Sequence, residues 1–269
     1  MNRANAIAKG LVNRSAADVY DEFFVPALFA GWAAPVVDAA NVTPGQHALD
    51  VACGTGVLTR ELAARVGSRG STFGVDINED MLAVARRNHP GIEWRPGNAE
   101  SLPFADDTFD AVCSQFGLMF FDDRERSVNE MSRVAKPGAT MAVAVWDRLE
   151  NTPGYAAAAA LLERLFGAGI AESLRRPYDL GDVAALAALF DDSAVEDVSI
   201  RTREGTARFP SIDDWIHTDV NGWTLAGMLD DDQYRRLLEA ARVELAGFAA
   251  DDGSVRFAAP AHIVTMRAR

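Results

Sequence analysis

The run Ala48-Leu49-Asp50-Val51-Ala52-Cys53-Gly54-Thr55-Gly56 constrains what this chain can fold into more than any other stretch. A short apolar segment enters a turn with two glycines, and beyond it Leu58, Leu62 and Val66 recur at helical spacing. That order reads as strand, loop and helix. Gly54 and Gly56 lack a Cβ, which opens backbone conformations closed to other residues and lets a ligand lie against the main chain. The N–H groups that open the helix should point at that ligand. About twenty residues further on, Thr72-Phe73-Gly74-Val75 ends at Asp76, where a carboxylate can accept hydrogen bonds from a ribose. The pair of features points to a nucleoside cofactor.

The register Gly54-Thr55-Gly56-Val57-Leu58-Thr59 lacks the third glycine of a dinucleotide fingerprint, which disfavours an NAD-linked oxidoreductase. No G-x-x-x-x-G-K-[ST] occurs, so a phosphate-cradling P-loop is excluded. Asp50 stands just before the turn instead. An acid there suits a cofactor that carries an ammonium group and no phosphate.

Asp50-Val51-Ala52-Cys53-Gly54-Thr55-Gly56 resembles the first motif of class I S-adenosylmethionine-dependent methyltransferases. Gly74-Val75-Asp76-Ile77-Asn78-Glu79-Asp80-Met81-Leu82 is similar to their second, and Gly97-Asn98-Ala99-Glu100-Ser101-Leu102-Pro103-Phe104 to their third. Phe109-Asp110-Ala111-Val112-Cys113-Ser114-Gln115-Phe116 resembles the fourth, and Arg133-Val134-Ala135-Lys136-Pro137-Gly138-Ala139 the turn before the fifth strand. The wording is closest to the quinone-biosynthesis and small-molecule branch, also called methyltransferase type 11. Ala52 replaces a glycine often seen in the first motif, and Asn98 stands where many relatives have Asp. The resemblance implies an α/β Rossmann-like fold: a mostly parallel seven-stranded sheet, helices on both faces, an N-terminal helical cover and a lid inserted before the last strand. It also implies S-adenosylmethionine as cofactor and S-adenosylhomocysteine as product. Asp50 and the backbone of Ala52, Cys53, Gly54 and Gly56 would serve the methionine end, and Asp76 the ribose. Ile77 and Met81 would flank the adenine, although a core role for Met81 is an equal alternative. Asn98 and Ala99 would meet the adenine edge, with Gln115 and Phe116 beneath the sulfonium.

The 269 residues allow one large α/β domain, here expected as 1–150 (helical cover and cofactor core) and 151–269 (sheet edge and substrate lid). A formal charge of −13 opposes phosphate backbones and anionic lipid, so neither nucleic acid nor a membrane surface is an expected partner. Cys53 and Cys113 read as free thiols of a cytoplasmic protein. The first residues lack a signal-peptide pattern, and no apolar run of about 18 residues is apparent.

Alternating patterns predict strands over 48–52, 72–76, 92–95, 110–115 and 140–146, with helices over 57–66, 79–88 and 124–135. Two helices are expected ahead of them, over 16–24 and 26–40, with Pro26 in the first turn of the second. Later helices are expected over 154–166, 182–190 and 230–248, another opening at Ser211, and strands over 195–202 and 254–267. Residues 209–228 read either as a lid or as a surface excursion held by its own aromatics.

Tyr20, Trp32, Phe120, Trp146, Trp215 and Trp223 are the candidate substrate-lining residues, and such walls suit a small apolar or aromatic acceptor. Of the four histidines, His217 is the candidate general base, because the others fall in loops or mid-strand. Asp122 and Asp123 read as helix caps, and no set of metal ligands can be assembled. Methyl transfer to a small organic molecule is the leading expectation. A cofactor-binding regulator without turnover is the alternative.

Overall fold

The computed structural model describes residues 16–222 and 224–269, so Trp223 and the residues that bear on a leader lie outside the described residues. The chain divides into two compact units. The first comprises Phe29–Arg148, Pro177–Gly205 and Pro260–Arg269; the second comprises Leu149–Arg176, Thr206–Ala259 and the part of Met1–Leu28 that is described.

The first unit is built on a seven-stranded sheet in the order β3-β2-β1-β4-β5-β9-β6. Its strands are β1 (His47–Val51), β2 (Ser71–Asp76), β3 (Glu93–Pro96), β4 (Phe109–Gln115), β5 (Ala135–Trp146), β6 (Val195–Arg203) and β9 (Ala261–Ala268). The first five pair in parallel, and β9 runs antiparallel to both β5 and β6. Ala48, Leu49 and Val51 in β1 and Met141 to Val145 in β5 are fully buried, so both faces of these strands are covered. Such continuous apolar runs are what a parallel sheet demands. The crossovers are α2 (Val57–Val66), α3 (Glu79–Asn88) and α4 (Arg124–Val134). Asn78 caps α3 by accepting from the N–H groups of Asp80 and Met81, and Asp123 caps α4 by accepting from Arg126 N. The expected strand and helix positions in this half match those observed to within about two residues, with one exception. β5 begins at Ala135 and takes in the Lys136-Pro137-Gly138 segment expected as a turn, across a register shift between Phe109 and Ala111 in its pairing with β4.

The first helix differs from expectation. Ala16–Ala39 (α1) is one continuous helical run, with π winding over Tyr20–Phe29. Pro26 lies inside that stretch and opens no second helix. A proline in a helix interior lacks an N–H and crowds the preceding turn, and wider π winding accommodates it. Because the two expected helices are one, this segment is long and apolar enough by composition to cross a membrane, against the expected absence of such a run; half of its apolar window is buried.

In the second unit, α5 (Pro153–Phe166), α6 (Ala168–Arg175), α8 (Ile212–Gly222) and α9 (Asp231–Glu244) accompany a two-stranded sheet of β7 (Thr206–Phe209) and β8 (Val255–Ala258). The helix α7 (Val183–Ala188) belongs to the first unit. Ser211 accepts from Asp214 N at 3.0 Å as the cap of α8, and Asp230 with Gln233 forms a capping box on α9. The last expected strand, 254–267, is two strands. Val255–Ala258 pairs with β7 in the small sheet, while Ala261–Ala268 enters the large one. The break falls at Ala259-Pro260, where Pro260 has no N–H for a ladder and its carbonyl accepts from Asp147 N at 3.1 Å.

Candidate functional site

The strand order reverses between β1 and β4, and in open α/β sheets ligands bind beyond the carboxyl ends of strands at that point. A cleft lies there. It is lined by Ala52 after β1, Asp76 and Ile77 at the end of β2, the 97–100 loop after β3, and Phe120, Phe121 and Asp122 beyond β4.

Asp76 anchors the cleft. Its Oδ2 accepts from Gly54 N and its Oδ1 from Asn78 N, both at 2.8 Å, so the carboxylate is fixed in orientation. Burial raises its pKa, against these backbone donors. Ile77 beside it is 74% exposed, an unusual position for a large apolar side chain in a concave wall. Asn98 turns its Oδ1 to Glu100 N at 2.9 Å, which leaves the amide Nδ2 as the side chain's donor. Ala99 and Glu100 complete that wall.

The glycine turn behaves differently from its sequence reading. Cys53 N donates to Val75 O, Gly54 N to Asp76 and Gly56 N to Cys53 O, so these donors are used inside the protein. Gly56 has φ +92°, and a Cβ there would overlap the Trp94 ring, as would one at Gly74. These two glycines make room for a tryptophan. Ala52 adopts φ +58°, a conformation costly for a non-glycine residue, and it faces the cleft.

Below the turn, Asp50 is 1% exposed. Thr59 Oγ1 donates to its Oδ2 at 2.6 Å, while its Oδ1 is buried with no hydrogen-bond partner. Burial pushes its pKa up to about 7, helped by the neighbouring Asp76 charge and opposed by Thr59. Asp50 is thus a buried carboxyl with one oxygen unsatisfied and its charged form disfavoured.

At the ends of β4 and β5 the expected Phe116, Trp32 and Trp146 come together, but as packed side chains. Phe116 stacks on Trp146 at 3.7 Å between ring centroids, and Trp32 meets both edge-on. Trp146 is wholly buried. Gln115 Nε2 donates to Phe29 O at 3.2 Å. Met81 is half-buried on α3 and does not line the cleft.

The remaining candidates fall in the second unit. Trp215 is fully buried among Tyr155, Phe209, Phe248 and Phe257, so its ring is spent on the core of that unit. Tyr20 lies 6.1 Å from Phe24, ring to ring. The His217 ring meets Phe23 edge-on at 5.9 Å, its Nδ1 lies 3.2 Å from Asn221 Nδ2, and its Nε2 has no partner. Burial lowers its pKa below the ordinary histidine value, with Asp214 opposing. Among the described residues no group of three metal-ligating side chains converges. Sequence reasoning missed Glu100 and Asp122 as walls of the cleft. Glu100 stands inside the third motif, but nothing in its spacing shows that it faces Asp122.

Comparison with known proteins decides the family. The model of the ubiE/COQ5 methyltransferase family matches residues 14–168, more than half of the chain. The chain belongs to the ubiE/COQ5 methyltransferase family. A demethylmenaquinone methyltransferase of Lysinibacillus sphaericus is 36% identical over 191 residues, covering 66% of this chain and 81% of that protein. The ubiquinone/menaquinone biosynthesis C-methyltransferase UbiE of Klebsiella pneumoniae is 37% identical over 132 residues, 47% of this chain and 53% of that one. Among solved structures, a Haemonchus contortus phosphoethanolamine N-methyltransferase 2 in complex with S-adenosyl-L-methionine superposes with a TM-score of 0.61 at 15% identity, over 100% of this chain and 60% of the other; this likeness is one of fold. As a ubiE/COQ5 family member the protein is an S-adenosylmethionine-dependent methyltransferase of small molecules. The family match includes every residue of the cleft and ends at 168, before α8 and α9.

Proposed function

We propose that the protein methylates a small aromatic acceptor of the quinol class, using the cleft beyond β1, β2 and β4 to hold S-adenosylmethionine. The observation that carries the site assignment is Asp76 fixed by two backbone donors beside the exposed Ile77 in one cleft. A carboxylate held in a fixed orientation at the cleft suits a ribose diol, and an exposed branched side chain suits the face of a purine. Asn98 Nδ2 and the backbone of Ala99 would meet the purine edge, and Met81 is an outer neighbour on the same wall. The unpartnered Asp50 Oδ1 fits the cationic end of the cofactor, with the backbone of Ala52, Cys53, Gly54 and Gly56 between them. When bound, the cofactor supplies a methyl carbon activated by a sulfonium.

The chain's own tasks are then to position the acceptor, exclude water and accept a proton. Phe120 and Phe121 offer an apolar wall, and the Gln115, Phe116, Trp146 and Trp32 cluster an aromatic floor at the ends of β4 and β5. His217, whose lowered pKa favours the neutral imidazole and whose Nε2 has no hydrogen-bond partner, is the candidate base; Tyr20 and Trp223 remain candidate lining residues, and 209–228 the candidate lid. The quinol class is supported by the relatives' names and by these aromatic walls. The acidic charge and free cysteines suit a cytoplasmic protein that binds neither nucleic acid nor membranes.

Calorimetric titration of S-adenosylmethionine, S-adenosylhomocysteine and NAD into wild type and Asp76→Ala tests the assignment. Both sulfur nucleosides should bind wild type, NAD should not, and Asp76→Ala should weaken binding about 30- to 100-fold, the loss of charge-assisted bonds to a ribose. Unchanged affinity in Asp76→Ala would remove the ribose role.

A further inference from the structure

The two sides of the cleft come from loops that follow different strands. The loop after β3 carries Asn98, Ala99 and Glu100, and the segment after β4 carries Phe120, Phe121 and Asp122. One side chain joins them. Glu100 Oε1 accepts the N–H groups of both Asp122 and Asp123, each at 3.1 Å. The Glu100 backbone is held as well: its N–H donates to Asn98 Oδ1 at 2.9 Å, and its carbonyl accepts from Arg126 Nε at 2.8 Å. Arg126 N in turn donates to Asp123 Oδ1 at 3.0 Å. The contacts form a closed circuit of side chain and backbone that links the two loops lining the cleft.

We infer that Glu100 is a positioning residue that ties the nucleoside loop to the acceptor wall, so that filling one side of the cleft orders the other. The naming of the two sides rests on the proposed function; the tie itself is geometry. Asp122 and Asp123 are exposed, so water could satisfy their N–H groups and Glu100 rescues no buried donor. The worth of the contact lies in where it places Phe120 and Phe121. The helix α4 keeps its own cap from Asp123, so the fold does not depend on Glu100. Coupling between two ligands is reciprocal: a cofactor that steadies Asn98 and Ala99 steadies the acceptor wall, and an acceptor tightens the cofactor by the same factor.

Glu100→Ala removes the clamp, whereas Glu100→Gln keeps an acceptor oxygen in place of Oε1. The experiment compares both with wild type by hydrogen exchange across 120–123 with and without S-adenosylhomocysteine, by calorimetry of that ligand, and by its affinity with 2-methyl-1,4-naphthoquinone present. In wild type and Glu100→Gln, S-adenosylhomocysteine should slow exchange at Asp122 and Asp123. In Glu100→Ala that protection should vanish, the affinity should fall about five- to tenfold, and the naphthoquinone should no longer alter it. Full cofactor-dependent protection in Glu100→Ala would overturn the inference, as would Glu100→Gln failing alongside it. Wild type that fails to bind S-adenosylhomocysteine would sink the cofactor reading instead. Wild type that binds it with no added protection at 120–123 would sink the tie alone.

Discussion

Replacing Asp50 by Asn should stabilise the ligand-free protein at neutral pH while weakening the cofactor site. Asp50 is buried, lacks a partner on Oδ1, and has its pKa raised from 3.8 to about 7, chiefly by desolvation. The folded state therefore binds this proton more tightly than the unfolded chain does. Between pH 3.8 and about 7 the native state holds a proton that the unfolded state has released, so stability falls as pH rises through that window. Below it both states are protonated, and above it both are ionised, so the slope disappears on either side. A shift of about three units at 1.36 kcal/mol each makes the full penalty about 4 kcal/mol by pH 8. Asn is neutral throughout, nearly isosteric, and able to accept from Thr59. The stability difference between Asp50→Asn and wild type should thus grow by about 1.4 kcal/mol per pH unit from pH 5.5 to 7 and then level off. Urea unfolding of both proteins at half-unit steps from pH 5.5 to 8.5 measures it. Parallel pH profiles would refute the argument, because they would mean that Asp50 ionises in the fold at its ordinary pH.

Two further perturbations follow from the same structure. Gly74→Ala would drive a Cβ to within 2.5 Å of the Trp94 ring and 3.0 Å of Cys53 Sγ, and should cost about 1–3 kcal/mol in urea unfolding; an unchanged midpoint would show that Trp94 can yield. His217→Gln should lower kcat at least tenfold with S-adenosylhomocysteine affinity unchanged. Because burial lowers the His217 pKa, the acid limb of wild-type activity should lie below pH 6.5 and disappear in the variant; a retained limb would assign the proton to another group.

The sheet was legible because β1, β2, β4 and β5 are buried on both faces and so read as apolar runs, each ended by a turn at the ligand side. The position of the Asp76 carboxylate at the mouth of the cleft was legible for the same reason, because it ends a strand. What the glycines do was not legible, because Trp94 lies in a strand distant in sequence and only the β2/β3 register brings Gly74 opposite it. Nor was the split at Pro260. The apolar alternation of 254–267 carries on across the break, and which sheet each half joins depends on partners far away in sequence. Trp215 illustrates the limit for side chains at the site. An aromatic on an amphipathic helix reads the same whether it faces a ligand or, as here, the interior of its own unit.

The position of β9 has a consequence for synthesis. It is the last described strand of the sheet, yet it lies between β5 and β6 and, among the described residues, is the only strand paired with β6. As the chain emerges from the ribosome, β1 to β5 can pair in turn, whereas β6 has nothing to pair with until 261–268 appear. Until then β5 presents a bare hydrogen-bonding edge, the kind of surface that invites pairing with another nascent chain. Loss of 258–269 would leave that edge open permanently and β6 without a strand partner.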